Sequence, residues 1–154
     1  MMEPIAQLRA SGFRRVFALF ALGALGALLL YLAVTLSTGL GYRVLLIGMG
    51  ALSVWACERM ARTTRGVFAL HEDGIYFNDA LLAHVEEMES VDKGMFALKP
   101  TNGFSIILKE KAPRVFVPGM YWRIGRRLGI GGVTEPGAAK FMADTLTAMI
   151  ADRA

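Results

Sequence analysis

Hydrophobic and polar positions divide the chain into an apolar N-terminal part and a C-terminal part of short, mixed segments. Residues 16–42 form an uncharged run of 27 residues, and after Arg43 the chain is uncharged again over residues 44–57. A helix that crosses a bilayer needs about 20 apolar residues. The pattern therefore predicts a transmembrane helical hairpin over residues 16–57, in which the second span is short and Arg43 extends towards the headgroups.

The chain after Arg65 predicts short antiparallel strands joined by turns. Asp73-Gly74 is typical of a hairpin turn. Strands are expected at residues 67–70, 75–77, 95–98, 104–108 and 114–117, and further turns at residues 100–103 and 110–112. Residues 82–91 fit either a helical turn or an irregular strand, and residues 120–133 read as a connection rich in glycine and arginine.

One amphipathic helix is predicted at the C-terminal end, over residues 136–151. Thr134 is the expected N-cap, with Glu135 and Pro136 in the first turn. The expected apolar stripe consists of Ala138, Phe141, Met142, Thr145, Leu146, Met149 and Ile150. Short antiparallel strands followed by one helix indicate an α+β fold: a transmembrane hairpin, then an antiparallel sandwich capped by a helix.

Arginines flank the outer ends of the predicted hairpin. Arg9, Arg14 and Arg15 precede it, Arg59, Arg62 and Arg65 follow it, and the turn carries only Arg43. Because positive residues are retained on the cytoplasmic side, both termini are expected there. The chain then divides into a cytoplasmic N-terminal segment (1–15), which is either a short interfacial helix or a frayed end, the hairpin (16–57) and a cytoplasmic domain (66–154).

Composition agrees with a membrane protein and excludes some partners. A mean hydropathy of +0.45 with 19% charged residues is unusual for a soluble globule. The net charge of +4 is too small and too dispersed to predict nucleic-acid binding. The single cysteine, Cys57, excludes an intramolecular disulfide.

Small residues recur in both predicted spans and allow helices to approach closely in lipid. Those that we single out for transmembrane packing are Ala18, Gly23 and Ala27 in the first span and Gly48 and Ala51 in the second. They are explained first by packing of the two spans on each other, which their short connection already requires. The other reading is docking against another integral membrane protein or a second copy of the chain, and both readings hold if they use different faces.

The order of elements resembles a family of small bacterial membrane proteins in which one or two transmembrane helices carry a pleckstrin-homology-like domain. The resemblance covers roughly residues 67–151. It rests on Leu70-His71-Glu72-Asp73-Gly74-Ile75, which is similar to an L-x-x-x-G-I hairpin, on residues 85–91 and on the C-terminal helix. It implies a bent antiparallel sandwich that serves as a binding or scaffold module in the bacterial inner membrane. It transfers no site residues and no catalytic activity.

The segment most suggestive of binding lies just before the C-terminal helix. It interleaves aromatic and basic residues: Tyr121, Trp122, Arg123, Arg126 and Arg127. Tyrosine and tryptophan suit a membrane interface, and arginine can clamp phosphate. We therefore expect a surface for a partner or for anionic headgroups. The alternative is an ordered connection in which Trp122, Ile124 and Leu128 pack while the arginines are solvated.

Charge is partitioned along the domain. Residues 66–92 hold seven acids and no lysine or arginine, and residues 93–127 hold eight bases and one acid. This asymmetry either orients the domain over an anionic leaflet or is cancelled by pairing across the sheet.

No residue pattern in the sequence predicts catalysis, a metal or a cofactor. His71 and His84 lie near acids but form no H-E-x-x-H motif, and Cys57 has no histidine or aspartate beside it in the sequence. The expected function is that of a non-catalytic accessory or assembly subunit of a larger membrane complex. The alternative is a membrane-anchored module that binds anionic lipid headgroups through its basic segment.

Overall fold

The computed structural model of the protein describes residues 3–94 and 100–153. The strand expected at residues 95–98 lies outside the described residues. The chain divides into two compact units: a helical unit, Gly12–Arg62, and a β unit made of Met1–Ser11 together with Thr63–Ala154.

The helical unit contains two long apolar helices that pack together. Helix α1 is Gly12–Thr35 and helix α2 is Leu40–Thr63, each of 24 residues. At 1.5 Å per residue each is about 36 Å long, enough for a hydrocarbon core of about 30 Å. Only 11% of the most apolar stretch of α1 and 6% of that of α2 is buried. Because so much apolar surface is exposed, the two helices suggest membrane anchoring.

Four strands form the first sheet of the β unit. They pair antiparallel in the order β1-β2-β3-β4, and they are Ala6–Arg9 (β1), Val67–Leu70 (β2), Gly74–Phe77 (β3) and Ala80–His84 (β4). The turn between β2 and β3 is closed by the His71 N–H, which donates to the Gly74 carbonyl at 2.9 Å. This confirms the predicted hairpin. Only the end of β4, residues 82–84, lay in a segment for which a strand was one of the expected alternatives.

Five strands form the second sheet, in the order β5-β6-β9-β8-β7, with every pair antiparallel. They are Met88–Asp92 (β5), Phe104–Leu108 (β6), Val115–Val117 (β7), Tyr121–Ile124 (β8) and Arg127–Ile130 (β9). A 3-10 turn, Val85–Glu87, joins β4 to β5. Residues 82–91 therefore contain both expected alternatives: the end of β4, the 3-10 turn and most of β5.

Helix α3, Pro136–Arg153, packs on β1, β5, β6 and the 3-10 turn. The α+β class is thereby confirmed, as is the C-terminal helix. Its buried side chains are Ala139, Met142, Ala143 and Leu146, and Phe141 is 59% exposed. The predicted stripe was thus wrong at Phe141, because small alanines, rather than the bulkiest side chains, let the helix approach the sheets.

The core of the β unit lies between the sheets. Strand alternation sends every second side chain inwards, and the fully buried ones include Leu8, Phe68 and Ile75 from the first sheet and Ile106, Leu128 and Ile130 from the second. Aromatic contacts link the two sheets, because the Tyr121 ring on β8 meets the edges of Phe68 and Phe77, with centroids 6.0 and 5.2 Å apart.

The N-terminal segment is neither an interfacial helix nor a frayed end. Residues 6–9 form β1, which pairs with β2 so that Leu8 lies opposite Phe68. Ala6 and Leu8 are buried, and Gln7 and Arg9 point outwards. Four alternating residues are a weak signal in a sequence, and their pairing partner lies about 60 residues further along the chain. The helical hairpin is consequently an insertion between two neighbouring strands.

Two further expectations were wrong. Residues 114–117 are not the last strand, because β8 and β9 fill most of the supposed glycine-rich connection. Thr134 is not the N-cap of α3: it is buried, pairs with Ala10 in an isolated β-bridge, and its hydroxyl donates to the Asn102 carbonyl at 3.3 Å. The first carbonyl to accept from α3 is that of Glu135, from the Ala139 N–H.

Candidate functional site

Two glycines allow the helices of the hairpin to touch. A Cβ atom on Gly26 would come within 2.8 Å of the Val54 side chain, and one on Gly50 within 2.8 Å of Leu30. These two residues therefore make the close backbone contact. The Cys57 thiol donates to the Leu19 carbonyl at 3.3 Å across the same interface.

The five small residues singled out from the sequence divide between the faces of the hairpin. Gly23 faces Cys57, with a Cβ-to-sulfur distance of 3.8 Å for an alanine there, and Ala18 is half-buried. Ala27, Gly48 and Ala51 are exposed, and a Cβ on Gly48 would meet no atom within 4 Å. Packing of the spans on each other thus uses one face, and three of the five residues remain outside it.

The five residues of the predicted binding segment lie in one hairpin, β8–β9, which turns at Gly125 with a φ of +60°. Alternation separates them. Tyr121 and Arg123 lie on the face towards the first sheet, and Trp122 lies on the outer face. The structure therefore places these residues close together in the fold without giving them one common surface.

The three arginines of this hairpin contact acceptors within the β unit. Arg123 donates from Nε to the Pro113 carbonyl at 2.9 Å and from Nη1 to the Leu82 carbonyl at 3.1 Å. Arg126 donates from Nε to the Leu108 carbonyl at 2.8 Å and forms an ion pair with Glu89. Arg127 lies 3.7 Å from Asp92.

These contacts show how the charge partition along the sequence is resolved. Glu89 and Asp92 belong to the acidic stretch, and Arg126 and Arg127 belong to the basic stretch. Two more pairs bring α3 into the pattern, between Lys93 and Asp144 at 2.7 Å and between Arg153 and Glu86 at 3.9 Å. Acidic and basic stretches therefore pair within the fold. The Lys93 hydrogen bond also holds the pKa of Asp144 below its usual value.

Tyr121 belongs to the core between the sheets. Burial raises the pKa of its hydroxyl, and the nearby Arg123 charge opposes that rise. Its edge contacts with Phe68 and Phe77 hold the hydroxyphenyl ring in place. Trp122 rests on the backbone of β9, because an alanine at Gly129 would place its Cβ 2.4 Å from the indole ring. The absence of a side chain at Gly129 therefore lets the Trp122 indole pack against the strand.

The glycines that follow β9 serve close backbone contacts. Gly131 and Gly132 have φ values of +143° and +125°, and a Cβ on Gly132 would lie 2.6 Å from the Gly119 carbonyl oxygen. The N–H groups of Gly131 and Gly132 donate to the carbonyls of Met120 and Thr101. Because these donors are already used, the glycine-rich segment does not form an open cradle for an anion.

The two places where the chain leaves the β unit for the helices are tied together by hydrogen bonds. The Ser11 N–H donates to the Val133 carbonyl at 2.7 Å, and the Val133 N–H donates to the Gly119 carbonyl at 3.1 Å. The Thr63 hydroxyl donates to the Pro118 carbonyl at 2.9 Å. We call Ser11, Thr63, Pro118, Gly119 and Val133 the exit cluster. Its members lie far apart in the sequence, and no local pattern predicted that they meet.

Chemically reactive side chains are dispersed over the described residues. Within residues 3–94 and 100–153 no group of three or more histidines, cysteines or acids is placed to hold a metal. The His71 ring meets the edge of Tyr76, whose hydroxyl donates to Asp73 at 2.6 Å. That bond lowers the pKa of Asp73 and raises the pKa of Tyr76.

An open groove of about 540 Å³ lies beside the Arg123 guanidinium. Its lining mixes both charges with apolar atoms: Leu82, Glu86, Glu87, Lys109, Glu110 and Lys111 contribute to it. Arg123 already donates from Nε and Nη1 to backbone carbonyls, so those two donors are not available to a ligand in the groove.

No protein-family model matches this chain, and searches of curated proteins and of solved structures return no match either.

Proposed function

We propose that this protein is a non-catalytic accessory or assembly subunit of a larger membrane complex, anchored in the bacterial inner membrane by α1 and α2. The observation that carries the proposal is the outward position of Ala27, Gly48 and Ala51. The spans already pack on each other through Gly26 and Gly50. Small residues outside this contact are therefore left for another transmembrane helix, whose backbone can approach closely because their side chains are small.

The way the hairpin joins the β unit supports a role in assembly. Both connections are hydrogen-bonded within the exit cluster, and Ala10 and Ser11 lead from β1 into α1 without a linker. Because the hairpin is inserted between the paired strands β1 and β2, both of its ends are covalently joined to one folded unit. The pleckstrin-homology-like resemblance adds the expectation that this unit binds or supports a protein partner.

The proposed orientation has both termini and the β unit in the cytoplasm. It rests on the six arginines that flank the hairpin and on the single arginine at its turn. Arg15 donates to the Ala61 carbonyl at 3.2 Å, so one of these charges also ties the ends of the two helices together.

The test is purification of the full-length protein in mild detergent, followed by native mass spectrometry. We expect the wild-type protein to co-purify with another integral membrane protein or with a second copy of itself. The double variant Gly48→Leu/Ala51→Leu is expected to lose it, because leucine side chains there hold an approaching backbone away.

The matched control is Gly41→Leu, in the first turn of α2, where a Cβ likewise meets no atom within 4 Å. It should keep the partner. A wild-type protein that is only monomeric and alone, or a double variant with an unchanged complement of partners, would contradict the proposal.

The alternative function, binding of anionic headgroups, retains one supporting observation. The Arg126 and Arg127 side chains are 47% and 38% exposed despite their ion pairs. Headgroup binding would require each to share its guanidinium with a phosphate. Lipid analysis of purified protein tests this, because Arg126→Gln/Arg127→Gln should then retain fewer anionic lipids than wild type. Equal retention would exclude the alternative.

A further inference from the structure

Three apolar side chains stand on the outer face of the second sheet. Phe116 of β7 is 72% exposed and lies directly opposite Trp122 of β8. Ile124, two residues beyond Trp122 and therefore on the same face, is 56% exposed. We call Phe116, Trp122 and Ile124 the aromatic patch. Facing partners in a sheet have Cβ atoms about 5 Å apart, so Phe116 and Trp122 form one continuous surface.

The aromatic patch begins beside the exit cluster. The turn between β7 and β8 contains Pro118 and Gly119, and the Pro118 carbonyl accepts from Thr63, the last residue of α2. Phe116 is two residues from Pro118, which is about 7 Å at the rise of a β-strand. Phe116 therefore stands about 7 Å along the strand from the residue that contacts the end of α2.

The exit cluster lies close to the hydrocarbon edge when the hairpin spans a bilayer. Ser11 is five residues before Val16, where the uncharged run begins, and Thr63 is six residues after Cys57, where it ends. At 1.5 Å per residue these distances are about 7.5 and 9 Å. The headgroup layer on each side of a bilayer is about 5–7 Å thick. The exit cluster consequently lies at the outer edge of the headgroup layer.

We propose that the aromatic patch inserts into the interfacial layer of the bilayer and forms a second membrane contact of the β unit. Aromatic side chains, tryptophan above all, are enriched at this depth because they join an apolar ring to a polar edge. Arg114, exposed and immediately before β7, supplies a cation for anionic headgroups. The inference shares with the proposed function only the spanning hairpin and needs no protein partner.

Tryptophan fluorescence in the full-length protein provides the test, because the chain has only Trp55 and Trp122. The protein is reconstituted in vesicles of phosphatidylcholine and phosphatidylglycerol, with and without lipids brominated near the carbonyl end of the acyl chain. Trp55→Phe leaves Trp122 as the reporter, and Trp122→Phe leaves Trp55, on α2, as the internal standard. We expect bromine to reduce Trp122 emission by a fraction comparable with that of Trp55, and aqueous acrylamide to have little effect.

Each other outcome overturns the inference in a distinguishable way. Trp122 unquenched by bromine but quenched by acrylamide would show that the patch faces water. Trp122 protected from both quenchers would show that a protein or a second copy covers it. If Trp55 is not quenched by bromine either, the hairpin is not in the bilayer, and the proposed function fails as well.

Two variants then separate the patch from general surface hydrophobicity. Phe116→Ser removes an exposed side chain without opening the core and should weaken bromine quenching of Trp122. Leu81→Ser, at a 40% exposed position on β4 in the other sheet, should leave that quenching unchanged. Equal quenching in the two variants would contradict the assigned role of Phe116.

Discussion

Replacing Leu8 by alanine should destabilise the β unit, most of whose residues lie after the helical hairpin. Leu8 is fully buried in β1, opposite Phe68 of β2. The change removes three buried carbons, worth about 2.4 kcal/mol at ~0.8 kcal/mol each. A cavity term raises the expected cost to about 3–4 kcal/mol, within the range of about 2–5 kcal/mol for such substitutions. For a domain stable by about 5–15 kcal/mol this is a large fraction.

The measurement is urea unfolding of the full-length protein in detergent, followed by Trp122 emission in a Trp55→Phe background. Trp122 lies in the second sheet and belongs to the same unit as β1. The control is Gln7→Ala, at an exposed position of the same strand, which should change stability by no more than about 0.5 kcal/mol. If both variants unfold at the wild-type midpoint, β1 is not part of the β unit and the inserted-hairpin topology is wrong.

Four further outcomes test other parts of the structure. Gly23→Cys should form a disulfide with Cys57 on oxidation, because a Cβ atom at position 23 would lie 3.8 Å from the Cys57 sulfur, whereas Gly48→Cys should not. The disulfide is detected by gel mobility after cleavage at a protease site placed in the α1–α2 turn. Gly129→Ala should cost about 1–3 kcal/mol and shift Trp122 emission, because its Cβ would occupy the space of the indole. The pKa of Asp144 is lowered in the folded state, so its contribution to stability is present above the unfolded pKa of 3.8 and is lost as the pH falls through the folded pKa. Asp144→Asn should therefore lower the urea midpoint at pH 7 but not at about pH 2. Asp152→Asn is the control. A chain of residues 64–154 alone should fail to give a cooperative unfolding transition. Joining residues 3–11 to 63–153 should restore that transition, and a short Gly-Ser linker is sufficient because Ser11 and Thr63 both belong to the exit cluster.

Local patterns were sufficient wherever one segment carries its own signal. The uncharged runs predicted two long apolar helices, and the structure extends them to Gly12–Thr35 and Leu40–Thr63 because flanking arginines are compatible with helical turns. The Asp73-Gly74 turn and the C-terminal helix were also readable, since turn chemistry and helical periodicity depend on neighbouring residues.

The candidate sites were less predictable, because their residues act through distant partners. Ala27 and Gly26 are adjacent small residues in one helix, and only contact with α2 decides that Gly26 packs inwards while Ala27 stays exposed. The arginines of the β8–β9 hairpin read as a basic surface until strand order brings Glu89 and Asp92 beside Arg126 and Arg127.

The sequence by itself determined the two long apolar helices, the α+β class and the β2–β3 hairpin, because hydropathy and local turn chemistry need no knowledge of long-range contacts. Only the tertiary structure decided that β1 belongs to the β unit, that the hairpin is an insertion, and that Phe116 and Trp122 stand beside the exit cluster. Strand pairing is the physical reason: β1 and β2 hydrogen-bond across a separation of about 60 residues, and no local pattern specifies such a partner.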